Sequence, residues 1–174
     1  LVYRYYQDHF GGQAPSPAML KAYLVQSTRY LNGTGANDTL PSKSQGFGEI
    51  SLGRAFDDAA RLVEDQNYLL HGSGETYALS GIVVDASKPL RITLAWTEPP
   101  GVSFAASYTN DLNLEVEIGG QIYYGNVFNG PNSIPGGSPD ARNNVESVFL
   151  PAGVSGTFQV RVHAQNIAGD GLPG

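Results

Sequence analysis

The chain has 174 residues, a formal net charge of −6 from 16 acidic and 10 basic side chains, 22 glycines, 11 prolines and no cysteine. This composition excludes disulfide scaffolds and thiolate metal sites. It also argues against a nucleic-acid binder, because neutralising phosphates takes clustered Lys and Arg. No run of about 18 apolar residues exists, so no membrane-spanning helix is expected, and the frequent Gly and Pro argue against a long helical bundle.

In chain order, residues 1–10 read as a helix already under way. Residues 169–174 form a glycine-rich turn, so both ends read as cuts. Pro15-Ser-Pro17 signals a second helix, with Ser16 as N-cap and Pro17 at the first helical position. Its predicted body is 18–31, with Leu20, Tyr23, Leu24, Ser27 and Leu31 on one face and Asn32-Gly-Thr-Gly35 as the stop. Residues 37–45 read as loop, 46–53 as a glycine-rich stretch with room for a short strand, and 54–64 as another helical turn or two.

From about Glu75 the apolar period changes to two. Strands are predicted at 76–84, 90–96, 112–118, 121–127, 145–150 and 157–167. Gly119-Gly120 is a two-residue hairpin turn, since both positions can adopt positive φ. Leu112, Leu114, Val116 and Ile118 fall on one face, and Asn113, Glu115 and Glu117 on the other. Tyr124 is expected on the face shared by Ile118 and Ile122. The loops 98–109 and 128–143 are long enough to suggest a functional or metal-bound role. The fold class expected is mainly β, an antiparallel β-sandwich or jelly roll preceded by a helical segment.

Three histidines, His9, His71 and His163, lack metal-ligand spacing, and no Ser lies in a Gly-x-Ser-x-Gly elbow. Ser73, in His71-Gly-Ser-Gly74, reads as linker. No catalytic residue is therefore assigned within the chain. Oxygen ligands give the stronger signal. Asp111 follows Asn110 at a strand entry, and Asp140, Asn143, Asn144 and Glu146 crowd the end of the second long loop. Asp111, Asp140, Asn143 and Glu146 are the candidate metal ligands, because hard cations such as Ca²⁺ take carboxylate, amide and carbonyl oxygens from irregular segments. The bland reading of the same residues is turn capping by Asp. A carbohydrate-binding face would use Tyr108, Tyr123, Tyr124 or Phe128. Asn32-Gly-Thr34 and Asn37-Asp-Thr39 are glycosylation sequons.

Several stretches resemble, in family order, the C-terminal part of a subtilisin-like serine endopeptidase with an appended β jelly roll. Residues 15–24 are similar to the helix that closes the protease domain after its active-site serine. Gln45-Gly-Phe-Gly-Glu-Ile-Ser-Leu-Gly-Arg-Ala55 is similar to that domain's final segment. Leu94-Ala-Trp-Thr-Glu-Pro-Pro-Gly101, Asn110-Asp-Leu-Asn-Leu114, Tyr124-Gly-Asn126 and Arg142-Asn-Asn-Val-Glu146 resemble signature stretches of the jelly roll. The resemblance implies that 1–70 are the helical tail of an α/β catalytic domain and 75–174 a jelly roll lacking its last strand. It implies a secreted parent endopeptidase acting on proteins or peptides by acyl transfer. The Asp, His and Ser of its triad would lie outside this chain, with the serine motif just before Leu1, and the missing catalytic part would be the natural partner. It also implies structural calcium in the jelly roll. The family's Asp-Leu-Asp and Gly-Asn-Asp patterns carry Asn113 and Val127 here in place of an Asp. The alternative is a non-catalytic binding or adhesion module that takes calcium or carbohydrate.

Overall fold

A computed structural model describes residues 1–99 and 109–169. It is mainly β, built on antiparallel sheets. The helical part comprises α1 (Val2–His9), α2 (Pro17–Gln26) and α3 (Leu52–Ala55), with β1 (Thr28–Arg29) paired to β2 (Glu49–Ile50). The six longer strands are β3 (Thr76–Val83), β4 (Leu90–Ala95), β5 (Asp111–Ile118), β6 (Gln121–Tyr124), β9 (Val145–Leu150) and β10 (Gly156–Asn166). Between them a small hairpin joins β7 (Phe128–Asn129) to β8 (Asn132–Ser133).

One sheet has the order β3-β10-β5-β6, and β4 pairs with β9 in a second. Their facing sides share one aliphatic core. Leu114, Val116, Ile118 and Val160 come from the first sheet, and Val148 and Leu150 from the second. All six strands predicted from the period-two pattern are present. The β5–β6 turn uses Gly119 and Gly120 at φ 59° and 72°, as a type I′ turn requires.

The helical part differs from expectation in two places. Ser16 does cap α2, accepting from Met19 N–H at 3.0 Å. The helix stops at Gln26, however, and Leu31 lies beyond it. Two hydroxyls take over the last carbonyls: Ser27 Oγ donates to Tyr23 O, and Thr28 Oγ1 lies within 2.8 Å of Val25 O and 2.7 Å of Phe47 O. Such side-chain bonds offer the backbone an alternative to further helix, and Thr28 then enters the β1–β2 pair. The helix expected over 54–64 is only the single turn of α3, displaced towards the N-terminus, with Ser51 as its cap. Arg61 donates to the Arg54 and Ala59 carbonyls and pairs with Asp57, which holds the following segment in a non-helical path.

A second core, largely aromatic, holds these helices together. Tyr6, Tyr23 and Ala55 are its buried centre, with Tyr5, Phe10 and Phe56 around them. Tyr23 also donates to the Ala55 carbonyl at 2.6 Å. The helical part meets the sheets at Arg91 on β4. Its guanidinium donates to Gln26 O at 3.1 Å and Thr28 O at 2.7 Å, while Gln26 Nε2 donates back to Arg91 O at 3.1 Å. Arg91 also covers the Phe149 ring, 4.1 Å from its centroid. Burial, and then the nearby Arg54, lower its pKa to about 10, which leaves it charged at neutral pH. Among the described residues no helix is long and apolar enough to cross a membrane.

Candidate functional site: an acidic pocket at the sheet ends

The site grows from one inward-facing carboxylate. On β9, Glu146 shares the parity of Val148 and Leu150, so the pleat directs it between the two sheets, where it is fully buried. Its Oε2 accepts from the Leu114 amide of β5 at 2.7 Å. Its Oε1 is buried with no partner among the described residues. Gly125 makes room for the carboxylate: a Cβ there would run into Oε2 and lie 2.6 Å from the Glu146 Cβ.

Asn126 ties the pocket together. It sits in the left-handed region at φ 62°, a conformation that Asn tolerates better than most residues. Its Nδ2 donates to Asp140 Oδ2 at 2.7 Å and Val145 O at 2.9 Å, and its Oδ1 accepts from Ser147 N–H at 3.1 Å. Asp140 also accepts from Asn143 Nδ2 at 2.6 Å and from Arg142 N–H at 2.9 Å. Across the cluster, the start of β5 supplies Asp111, whose Oδ1 is buried with no partner among the described residues.

Three carboxyls thus lie close enough to repel one another. Burial, and then Asp140 and Asp111, push the Glu146 carboxyl up to about 8 against the lowering pull of the Leu114 amide. Burial and Asp140 likewise raise Asp111. No Lys or Arg among the described residues forms an ion pair with any of the three.

Of the four predicted ligands, Asp111, Asp140 and Glu146 therefore influence one another, and Asn143 reaches the group only through Asp140. The sides are unequal. Asp140 is occupied by amide donors, whereas Asp111 and Glu146 each keep an oxygen with no partner among the described residues. Among the described residues no three Asp, Glu or His side chains form a ready metal-holding cluster. Asn126 was not among the predicted ligands. Its signal is the Gly-Asn dipeptide after a strand, a pattern that favours a left-handed turn residue. Asn113, which stands where the family's pattern carries a second Asp, lies on the opposite face of β5, paired with His163, and is not part of this cluster.

The carbohydrate reading loses two of its four aromatics, Tyr123 and Phe128. Across the two-residue turn Ile118 pairs with Gln121 and Val116 with Tyr123, so Tyr123 packs on the core. Tyr124 pairs with Glu115 on the outer face beside Ile122, not on the face of Ile118 as alternation through the hairpin suggested. Phe128 is buried against Phe149, 5.5 Å between centroids. Tyr108, like most of the loop 98–109, lies outside the described residues.

The histidines stand apart from the pocket. His9 stacks on Tyr5, with centroids 3.9 Å apart, and its Nδ1 is 2.8 Å from Tyr5 O. His163 lies between Thr76 Oγ1 (3.1 Å from Nδ1) and Glu115 Oε2 (3.6 Å from Nε2). This hydroxyl–imidazole–carboxylate row is a cross-strand ladder on the outer face, and Arg161 already holds Glu115 at 2.5 Å. No family model matches the chain, and no curated protein matches its sequence.

Proposed function

We propose that this chain is a non-catalytic, calcium-stabilised β module with its helical anchor, forming the C-terminal part of a secreted subtilisin-like serine endopeptidase. The observation that carries the calcium reading is the pair of buried carboxylate oxygens without partners among the described residues, Glu146 Oε1 and Asp111 Oδ1. Burying unpaired carboxylate oxygens is costly, and a hard divalent cation is the partner that such a donor set suits. Bound there, the ion would supply the positive charge that the three carboxyls lack. Asp111 and Glu146 would hold it, with Asp140 as the neighbouring charge.

The module's role on this reading is mechanical. Arg91 clamps the end of α2, and Lys21 on α2 donates to Asn144 Oδ1 at 2.7 Å, next to the pocket. Fixing the 140–146 segment would therefore brace the helices that close the protease domain in the family this sequence resembles. The jelly-roll topology, the catalytic part as partner, the peptide substrates and the secretion belong to the same proposal.

Calcium titration followed by thermal unfolding tests the site. Stability should rise by about 2.7 kcal/mol at a concentration 100 times Kd and return to the starting value with chelator. Asp111→Asn should abolish the rise. No shift at millimolar calcium would leave Asp111 and Asp140 as turn residues. For the parent, a Gly-Thr-Ser motif is expected in the coding sequence directly upstream of Leu1, and a different sequence there would remove the protease reading. The chain alone should turn over no peptide substrate and take no serine-hydrolase label.

A further inference from the structure

We propose that β3 is a self-pairing edge through which two copies of this chain join antiparallel, about a two-fold axis at Ser80, to make one continuous eight-stranded sheet. Among the described residues β3 is the end strand of its sheet and pairs only with β10. Ala164 N–H donates to Glu75 O at 2.9 Å, which makes that a hydrogen-bonded pair. Antiparallel alternation then points the N–H and C=O groups of Tyr77, Leu79, Gly81 and Val83 at β10, and those of Thr76, Ala78, Ser80 and Ile82 outwards. Among the described residues no other backbone group bonds to this outer edge.

Soluble proteins usually blunt such an edge with charge, proline, a bulge or brevity. Residues 76–83 (Thr-Tyr-Ala-Leu-Ser-Gly-Ile-Val) have none of these. They hold no charged residue and no proline, run for eight residues, and keep register with β10 throughout. The outer face of the strand ends in Ile82 and Val84, 62% and 71% exposed.

The strand's own sequence identifies the occupant. With the axis on Ser80, every outward-pointing residue meets another: Ser80 faces Ser80 of the second copy, Ala78 faces Ile82, and Thr76 faces Val84. The inner face sets Leu79 against Gly81 and Tyr77 against Val83. No like charges meet along the ladder, and each exposed aliphatic gains a neighbour across it. The ladder ends where Glu75 would face Asp85, so a like-charge pair bounds it on each side and should make association stronger as salt rises. The contact is isologous and closed, so it yields dimers rather than fibres.

Sedimentation of the full chain over a concentration series should show reversible conversion from monomer to twice the monomer mass, with the dimer fraction growing several-fold from low to moderate salt. The chain has no cysteine, so S80C should form a disulfide-linked dimer under mild oxidation, while S87C, also exposed but outside the ladder, should not. Ser80→Pro removes only an outward N–H and should leave the circular dichroism unchanged while abolishing the dimer. A wild-type chain that stays monomeric at every concentration overturns the proposal. So does an oligomer that Ser80→Pro leaves intact, or one in which S80C fails to cross-link. If Ser80→Pro does not fold, the wild-type and S80C results still decide it.

Discussion

The two cores of this molecule are built on different principles. The sheets enclose an aliphatic core of Leu, Val and Ile, held in register by regular backbone ladders. The helical part is packed around aromatics, and much of its backbone is held by side chains: Tyr23 on Ala55, Arg61 on Arg54, and Gln45 on both polar groups of Leu31. Ladders repeat, so each residue contributes a little. Side-chain braces do not repeat, so a few residues carry much of the order.

The largest effect expected separates the two directly. Leu114→Ala, in the aliphatic core, should cost about 2–5 kcal/mol, read as a lower urea midpoint with an unchanged slope. Tyr23→Phe keeps the ring and removes one hydroxyl, yet strands the Ala55 carbonyl, and should cost about 1–3 kcal/mol. A loss below about half a kcal/mol would show that the aromatic core does not depend on its braces.

Arg91→Met tests the seam between the parts. It keeps the apolar stem over Phe149 and removes the bonds to Gln26 and Thr28, for a loss of about 2 kcal/mol. The single unfolding transition should broaden or split as the helical part melts first.

The acidic pocket makes the contrast depend on pH. The Glu146 carboxyl has its folded value raised from 4.5 to about 8, chiefly by burial. Between these two values the folded chain keeps a proton that the unfolded chain has lost. Without metal, stability should therefore be full below about pH 4.5 and fall as pH rises to 8, by up to about 1.4 kcal/mol per unit. Glu146→Gln should flatten that slope, and a slope unchanged in this variant would place its source elsewhere. Ser16→Ala should give the smallest loss, about 1 kcal/mol, from the cap of α2 alone.

Much of the sheet architecture was legible because its signals are local. A period-two run, a Gly-Gly turn and a cap are each complete within a few residues. The helical part was less legible because its determinants are distant. The end of α2 depends on Thr28 meeting the Phe47 carbonyl. Leu40, in a predicted loop, is buried against Phe128 and Phe149. The acidic pocket was half legible. Carboxylates clustered near strand ends marked Asp111, Asp140 and Glu146, but their sequence spacing could not say which would keep an oxygen with no partner among the described residues.

By itself, then, the sequence determined where strands run, where the chain turns, which faces alternate and that cysteine chemistry has no place here. Only the tertiary structure decided which face is the inside. It placed Tyr123 on the core and Tyr124 outside, because pairing across the hairpin sets parity between strands. It also buried Glu146 between two sheets, because the cost of that burial depends on what the opposite strand brings against the carboxyl.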